Sequence, residues 1–255
     1  MKIATWNVNS LAVRLPQVLD WLRLNDPDVL ALQETKMEDH RFPVSEFDRM
    51  GFRPVFSGQK TYNGVALITR LPVTDCLHEM PTLDDPQRRV LAASLGDLRI
   101  INLYVPNGSE VGSAKYQYKL RWLEALAVWL EQEVRNHEKL VVMGDFNIAP
   151  EELDVHDPDL WRDKVLCSLP EREAFFKLVD LGLRDVFRIF EPTQKAFSWW
   201  DYRMNGFRRN LGLRIDHILA TGSLCDHLGA CQIDHDQRAH ERPSDHAPVW
   251  AVFDS

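Results

Sequence analysis

The sequence predicts an α/β protein in which β-sheets pack face to face with helices outside. Three observations point there. Seven short aliphatic or β-branched runs read as buried strands, and three longer stretches carry apolar residues at helical spacing. The strand spacing is irregular, with few βαβ units of fixed length, which disfavours a TIM barrel or a Rossmann fold. No GxGxxG follows a strand and no GxxxxGK[ST] occurs, so nucleotide-cradling loops are not expected.

The strand runs are Ile3–Trp6, Val29–Leu32, Gly64–Thr69, Arg99–Val105, Leu140–Met143, Ile215–Ala220 and Val249–Phe253. Strands buried on both faces read as apolar runs rather than alternations. The helical stretches are Pro16–Leu24, Tyr118–Val134 and Glu171–Leu181, the last stopping at Gly182. Trp122 and Trp129 flank the stripe of the second and read as core or boundary residues. No linker, repeat or low-complexity tract divides residues 1–255, so one domain is expected.

Composition narrows the function. The chain is 45% hydrophobic and 27% charged, which excludes disorder and collagen. Apolar stretches are too short to span a membrane, and Met1–Ser10 lacks the apolar region of a secretory signal. A net charge of −8 argues against a non-specific nucleic-acid coater. It leaves room for an enzyme whose carboxylates hold a metal and whose local basic strip holds phosphates. The four cysteines form no CxxC and read as reduced thiols, fitting a cytoplasmic protein. The tract Cys225, His227, Cys231, His235 and His240 lacks paired ligands at tight spacing, so structural zinc is not expected.

The informative pattern stands at the strand ends. Asn7 and Asn9, Gln33 and Glu34, and Asp145 and Asn147 follow strand runs, and Arg99–Val105 ends at Tyr104 and Asn107. Asp216 and Asp245–His246 precede or open two others. In antiparallel pairs the end of one strand lies beside the start of the next, so these groups can share one edge. Glu34, Asn7 and Asp245 offer hard oxygen ligands without thiolate, which suits Mg²⁺ or Mn²⁺. Asp145 can take a proton from attacking water, and Asn147 can orient that water or steady a phosphate oxygen. His246 can donate to a phosphoryl oxygen while Asp216 holds its tautomer, and Tyr104 supplies a phenolic donor. No serine sits in a nucleophile elbow. The set describes metal-assisted hydrolysis of a phosphate ester.

The ordered motifs ATWNVNSL, LALQETK, INLYVPNG, VVMGDFNIAP, GLRIDHILA and PSDHAPVWAVF resemble those of exonuclease III-type abasic-site endonucleases. These belong to the endonuclease/exonuclease/phosphatase superfamily. The resemblance runs from Met1 to Phe253 and implies a four-layered α/β sandwich with two packed, mostly antiparallel sheets. It implies catalytic roles for Tyr104, Asp145, Asn147, Asp216 and His246, and metal-side roles for Asn7, Glu34, Asp145, Asn147 and Asp245. The substrate-side residues it suggests are Asn9, Arg88, Asn107, Trp199, Arg203, Arg208 and Leu213. FSWWDYR resembles the segment lining an abasic-sugar pocket, with Trp199 as apolar wall. Arg203, Arg208, Arg209 and Arg214 form a stretch free of acidic residues that can track a phosphate backbone. Arg214 can instead pair with Asp216. Gln87–Arg89 resembles a loop near DNA, whereas Lys115, Lys119 and Arg121 are explained equally well as a solvated helix surface.

One departure stands out. Cys167–Arg172 reads CSLPER, shorter than the related pattern, and borders the pocket in the family. The resemblance implies a monomeric, Mg²⁺-dependent enzyme of base excision repair. Its substrate would be double-stranded DNA with abasic sites or with blocked or recessed 3′ ends. The alternatives are a 3′-exonuclease/phosphatase with little abasic-site incision and, more remotely, a lipid or inositol phosphoesterase.

Overall fold

The computed structural model describes residues 1–254. In chain order the strands are β1 (Lys2–Asn7), β2 (Val29–Gln33), β3 (Arg53–Ser57), β4 (Val65–Thr69), β5 (Thr74–Leu77), β6 (Val90–Leu95) and β7 (Leu98–Tyr104). They continue with β8 (Lys139–Asp145), β9 (Leu183–Asp185), β10 (Trp199–Trp200), β11 (Gly212–Leu213), β12 (Asp216–Thr221), β13 (Leu228–Ile233) and β14 (Val249–Phe253). Two six-stranded sheets have the orders β13-β14-β1-β2-β4-β3 and β5-β6-β7-β8-β12-β9, and β10 and β11 form a short ribbon. Each large sheet has one parallel pair near its centre, β1 with β2 and β7 with β8. The helices Leu11–Asn25 and Ala114–Asn136 make those two crossovers. The other pairings are antiparallel, as the family resemblance implies.

The period of two along the strands builds the layers. Ile3, Val141 and Met143 point into the core between the sheets. Ala4 and Trp6 point outward onto Val18, Trp21 and Leu22 of the helix Leu11–Asn25. On the second sheet Leu140 and Val142 point outward onto Trp122, Leu126 and Leu130, together with Phe175 and Leu178 of the helix Leu169–Val179. Trp122 and Trp129 are both core residues. Among the described residues no helix is long and apolar enough to cross a membrane.

The expected helices lie in the right places with different ends. The first starts at Leu11 rather than Pro16, and Pro16 sits inside it. The second starts at Ala114 because the Ser113 hydroxyl accepts from the Tyr116 N–H at 3.1 Å. The third runs Leu169–Val179, opened by a capping box between Ser168 and Glu171. Strands β3, β5, β6, β9, β10, β11 and β13 are additions to the seven expected. Pro54 and the exposed Thr74–Leu77 obscure β3 and β5, and the bulge between Leu228 and Ala230 interrupts β13.

Two buried polar networks fix the sheets near one edge. Gln33 Nε2 donates to Asn102 Oδ1 of the facing sheet at 2.7 Å, and Asn102 Nδ2 donates back to Leu32 and Ala66 carbonyls. Behind β12, the buried Arg214 pairs with Asp154 and Asp185. This corrects its placement in the basic strip: Arg214 neither faces solvent nor pairs with Asp216. A buried guanidinium needs carboxylate partners, and the 151–155 segment and β9 supply them.

Arg214 also donates to His217 Nδ1 at 3.0 Å, while His217 Nε2 lies 2.8 Å from the Ile148 carbonyl. Arginine can only donate, so His217 is a neutral imidazole with its proton on Nε2. Burial and the Arg214 charge push its pKa from 6.5 down to about 4, against the pull of Asp185 and Asp154. The unfolded chain therefore takes up this proton first, and the stability it contributes at neutral pH is lost as pH falls from 6.5 towards 4. The urea midpoint should fall between pH 7 and pH 5, and by less in His217→Gln. An equal fall in both proteins would remove His217 as the cause.

Candidate active site

The two parallel pairs end at the same edge, and that edge carries the polar groups. Asn7 ends β1, Glu34 follows β2, Tyr104 ends β7 and Asp145 ends β8. Asp216 opens β12 directly opposite Asp145 in the antiparallel register. Asn7 joins the two sheets: its Nδ2 donates to Glu34 Oε1 at 3.0 Å and to Asp145 Oδ2 at 2.8 Å. Its Oδ1 accepts the Asn9 N–H at 2.9 Å.

The backbone is bent to reach this geometry. Asn9, Glu34, Lys36 and Asn147 have φ of 44°, 52°, 53° and 51°, in the left-handed region that L residues avoid. At Gly144, φ is 147° and a Cβ would lie 1.9 Å from the Leu103 carbonyl oxygen. Glycine is thus required one residue before Asp145, where β8 approaches β7 closely.

The charges form a buried cluster. His246 Nδ1 lies 2.8 Å from Asp216 Oδ2, and its Nε2 lies 3.8 Å from Asp145 Oδ2. Burial alone would lower the His246 pKa, but Asp216, Asp145 and Asp245 outweigh it and raise it to about 10. His246 is therefore an imidazolium at neutral pH, a donor at both nitrogens. Burial, with Asp216 and Glu34 nearby, pushes Asp145 up to about 7 against the pull of His246 and the Asn7 amide. Asp245 accepts from Asn9 Nδ2 at 2.8 Å and from Trp199 Nε1 at 2.9 Å. Burial pushes Asp245 up, but His246 and these bonds prevail and hold it below its ordinary value. Burial and the charges of Glu34 and Asp145 keep the Tyr104 phenol protonated, well above its usual range.

Oxygens of Glu34 and Asp145 and a nitrogen of His246 all lie within 4.8 Å of one another. With His246 protonated and held by Asp216, the carboxylates remain as ligands. Oxygen donors of this kind fit a hard divalent cation. Asn147 lies beside them, its Oδ1 accepting from Asn107 Nδ2 at 3.0 Å and its own N–H donating to Asp145 Oδ1 at 2.9 Å.

The outlying residues divide. Trp199 is half-buried at the rim, bridged to His246 and paired in register with Leu213. Leu213 is fully buried and packs in the small core that Trp199 covers, so its side chain is not at the surface. Arg203 is exposed but held by Asp201 at 2.7 Å, while Arg208 and Arg209 are exposed. Arg88 is half-buried, its N–H donating to Gln59 Oε1 at 2.8 Å. Lys119 is fully buried on Glu171, which corrects the solvated-surface reading of that lysine. The cysteine and histidine residues of the Cys225–His240 tract form no ligand cluster among the described residues.

Two contributors, Lys36 and Ser198, were not singled out from the sequence, and Gln33 was named there without a role. Lys36 Nζ lies 2.8 Å from Glu34 Oε2 and also contacts Asn9. Ser198 Oγ donates to Asp216 Oδ2 at 2.6 Å and accepts the N–H groups of Ile215 and Asp216. Gln33, the residue before Glu34, donates to Thr5 Oγ1 at 2.9 Å and to Asn102 Oδ1 at 2.7 Å. Lys36 lies inside LALQETK, two residues after Glu34, and that adjacency was the available signal. Ser198 lies inside FSWWDYR beside Trp199, but nothing in that motif shows that its partner is Asp216, 18 residues further on.

The sequence profile of the endonuclease/exonuclease/phosphatase family matches residues 4–246. The chain belongs to this family. Exodeoxyribonuclease III of Haemophilus influenzae is 40% identical over 266 residues, covering 99% of this chain and 100% of that protein. A 3′ phosphatase from Neisseria, NExo, solved with a product DNA hairpin, superposes with a TM-score of 0.99 at 49% identity over the whole of both chains. An AP endonuclease from Archaeoglobus fulgidus superposes at 0.96 with 41% identity, again over both whole chains. This endonuclease/exonuclease/phosphatase family member is thus a hydrolytic enzyme of the exonuclease III type, and the strand-edge cluster is its candidate centre.

Ser198→Ala strips two buried N–H groups of their acceptor and Asp216 of a donor. Urea denaturation should show a loss of about 2–3 kcal/mol. A loss below about 0.5 kcal/mol would mean that water replaces the hydroxyl.

Proposed function

We propose that this enzyme is a Mg²⁺-dependent DNA phosphodiester hydrolase of base excision repair. It would act as an abasic-site endonuclease, as a 3′-end exonuclease and phosphatase, or as both, on double-stranded DNA. The observation that carries the reading is the Glu34–Asp145–His246 cluster with Asp216 behind the imidazole. It supplies a metal-binding face, a proton acceptor and a cationic donor at one point.

The roles follow from the protonation states. Glu34 and Asp145, with Asn7, Asn147 and Asp245 around the site, would hold Mg²⁺, with Mn²⁺ a workable substitute. The bound ion would supply Lewis-acid stabilisation of charge on the phosphate. Asp145, with a pKa of about 7, is poised to take the proton of an attacking water. Asn147 and Asn107 orient that water or a phosphate oxygen. The His246 imidazolium donates from Nε2 to a phosphoryl oxygen as charge develops, and Asp216 keeps it charged. Tyr104, its phenol protonated, is a second donor. Water attacks phosphorus in line as Asp145 takes its proton, the bond to the leaving oxygen breaks, and that oxygen takes a proton from solvent water. Cutting 5′ to an abasic site in this way leaves a 3′-hydroxyl.

On the substrate side, Asn9 and Trp199 would border the sugar pocket, and Arg88, Arg203 and Arg208 would be the cations that meet phosphates. The half-buried Trp199, fixed to Asp245, would be the pocket wall, with Leu213 supporting it. A second reading, 3′-end cleaning with little abasic-site incision, is favoured by one observation. The Neisseria structures, described as a 3′ phosphatase and a 3′-5′ exonuclease, are 49% and 50% identical, against 41% for the AP endonuclease.

A gel assay with Mg²⁺ on three labelled duplexes separates these readings. One has an internal abasic site, one a recessed 3′-hydroxyl end and one a nick with a 3′-phosphate. Incision at the abasic site marks the endonuclease. Turnover confined to 3′ ends marks the second reading. Either activity should vanish in EDTA and fall at least about 100-fold in Glu34→Ala, since loss of metal stabilisation costs several kcal/mol. No cleavage of any duplex would overturn the DNA assignment in favour of a lipid or inositol phosphoester.

A further inference from the structure

Lys119 is a lysine where hydrophobic packing would call for leucine or methionine. It lies in the helix Ala114–Asn136 and is fully buried, as is its partner Glu171. Desolvating both charges is costly, and an apolar pair of similar volume is often as stable or more so. Fold stability alone therefore does not account for the pair.

The geometry shows what the ammonium touches. Its three donors are all used: one on Glu171, one on the Asn147 carbonyl at 2.6 Å and one on the Asn107 carbonyl at 3.2 Å. None is left for water or substrate. Asn147 holds a left-handed backbone with φ 51°, and its N–H fixes Asp145 Oδ1 at 2.9 Å. Its side chain is clamped between Asn107 Nδ2 and the Val105 carbonyl, both at 3.0 Å. Glu171 in turn accepts from the Leu166 N–H at 3.0 Å, the Ser168 N–H at 3.2 Å and the Ser168 hydroxyl. One buried charge pair thus ties the peptides of Asn107 and Asn147 to the Cys167–Arg172 edge.

We propose that Lys119 and Glu171 are positioning residues that set Asn147, and through it the Asp145 carboxylate, in the orientation the reaction needs. The proposal rests on the reading that Asp145 and Asn147 act in hydrolysis. Lys119 holds the strand end from beneath, by the carbonyls on which no other ammonium or guanidinium acts. Without it the left-handed peptide at Asn147 loses its tether, and a displacement of about 1 Å can lower a rate by roughly 100-fold.

The test uses the full chain and two variants that retain a balanced core. Lys119→Met/Glu171→Leu replaces the pair with apolar groups, and Lys119→Arg keeps the ion pair but directs its N–H groups differently. Both should show native near-UV circular dichroism, whereas Lys119→Met alone, which strands Glu171, should melt about 10 °C lower. On the duplex that the wild type cleaves, kcat should fall roughly 10- to 100-fold in both balanced variants, with KM within about 2-fold. The Asn147 side-chain amide resonances should shift in both. Wild-type kcat per folded molecule in either variant, or unshifted Asn147 resonances, would overturn the proposal. Failure of both balanced variants to fold would overturn it too, making the pair a folding determinant. A wild type that cleaves no duplex would instead defeat the functional reading beneath it.

Discussion

The site depends on gathering carboxylates that repel one another where water cannot screen them. Glu34, Asp145, Asp216 and Asp245 surround one imidazolium, and each has a designated donor. Asn7 serves Glu34 and Asp145, Ser198 and His246 serve Asp216, Asn9 and Trp199 serve Asp245, and Lys36 adds a charge to Glu34. The cluster is still short of positive charge, and this is the opening for a divalent cation. Asp145 follows this imbalance, since burial and its acidic neighbours push its pKa up despite the imidazolium beside it.

The fold serves this constraint. Two sheets with central parallel pairs bring four strand ends to one edge, and the antiparallel β12 and the Asp245–His246 segment leading into β14 return there. The cost appears in the backbone, where left-handed residues line the edge at Asn9, Glu34, Lys36 and Asn147. Such conformations persist only where the surroundings over-determine them. Buried polar ties under the edge, from Gln33 to Asn102 and from Lys119 to Asn147, are such surroundings.

Much of this was legible in the sequence. The buried central strands announce themselves as aliphatic runs with polar residues at or just beyond their ends, and this pattern puts Asn7, Glu34, Tyr104, Asp145 and Asp216 at one edge. What stayed hidden depends on contacts across sequence. Arg214 and Lys119 looked like surface cations because charge alone does not reveal burial, and their partners Asp154, Asp185 and Glu171 lie far along the chain. Ser198 supports Asp216 through a ribbon of strands too short to leave a periodic signal. Strand β6 is fully buried yet reads as VLAASL, whose alanines weaken any strand signature.

The central claim is that Glu34 completes a carboxylate cluster stabilised by a hard divalent cation. Thermal melting of the wild type and Glu34→Gln, with and without saturating Mg²⁺, tests it most directly. Glutamine keeps the acceptor for Asn7 and removes the charge. The account predicts that Mg²⁺ raises the wild-type Tm by preferential binding to the folded state. It predicts that Glu34→Gln melts at or above the wild type without Mg²⁺ and does not respond to it. An equal rise in both proteins, or no rise in the wild type, would contradict the account.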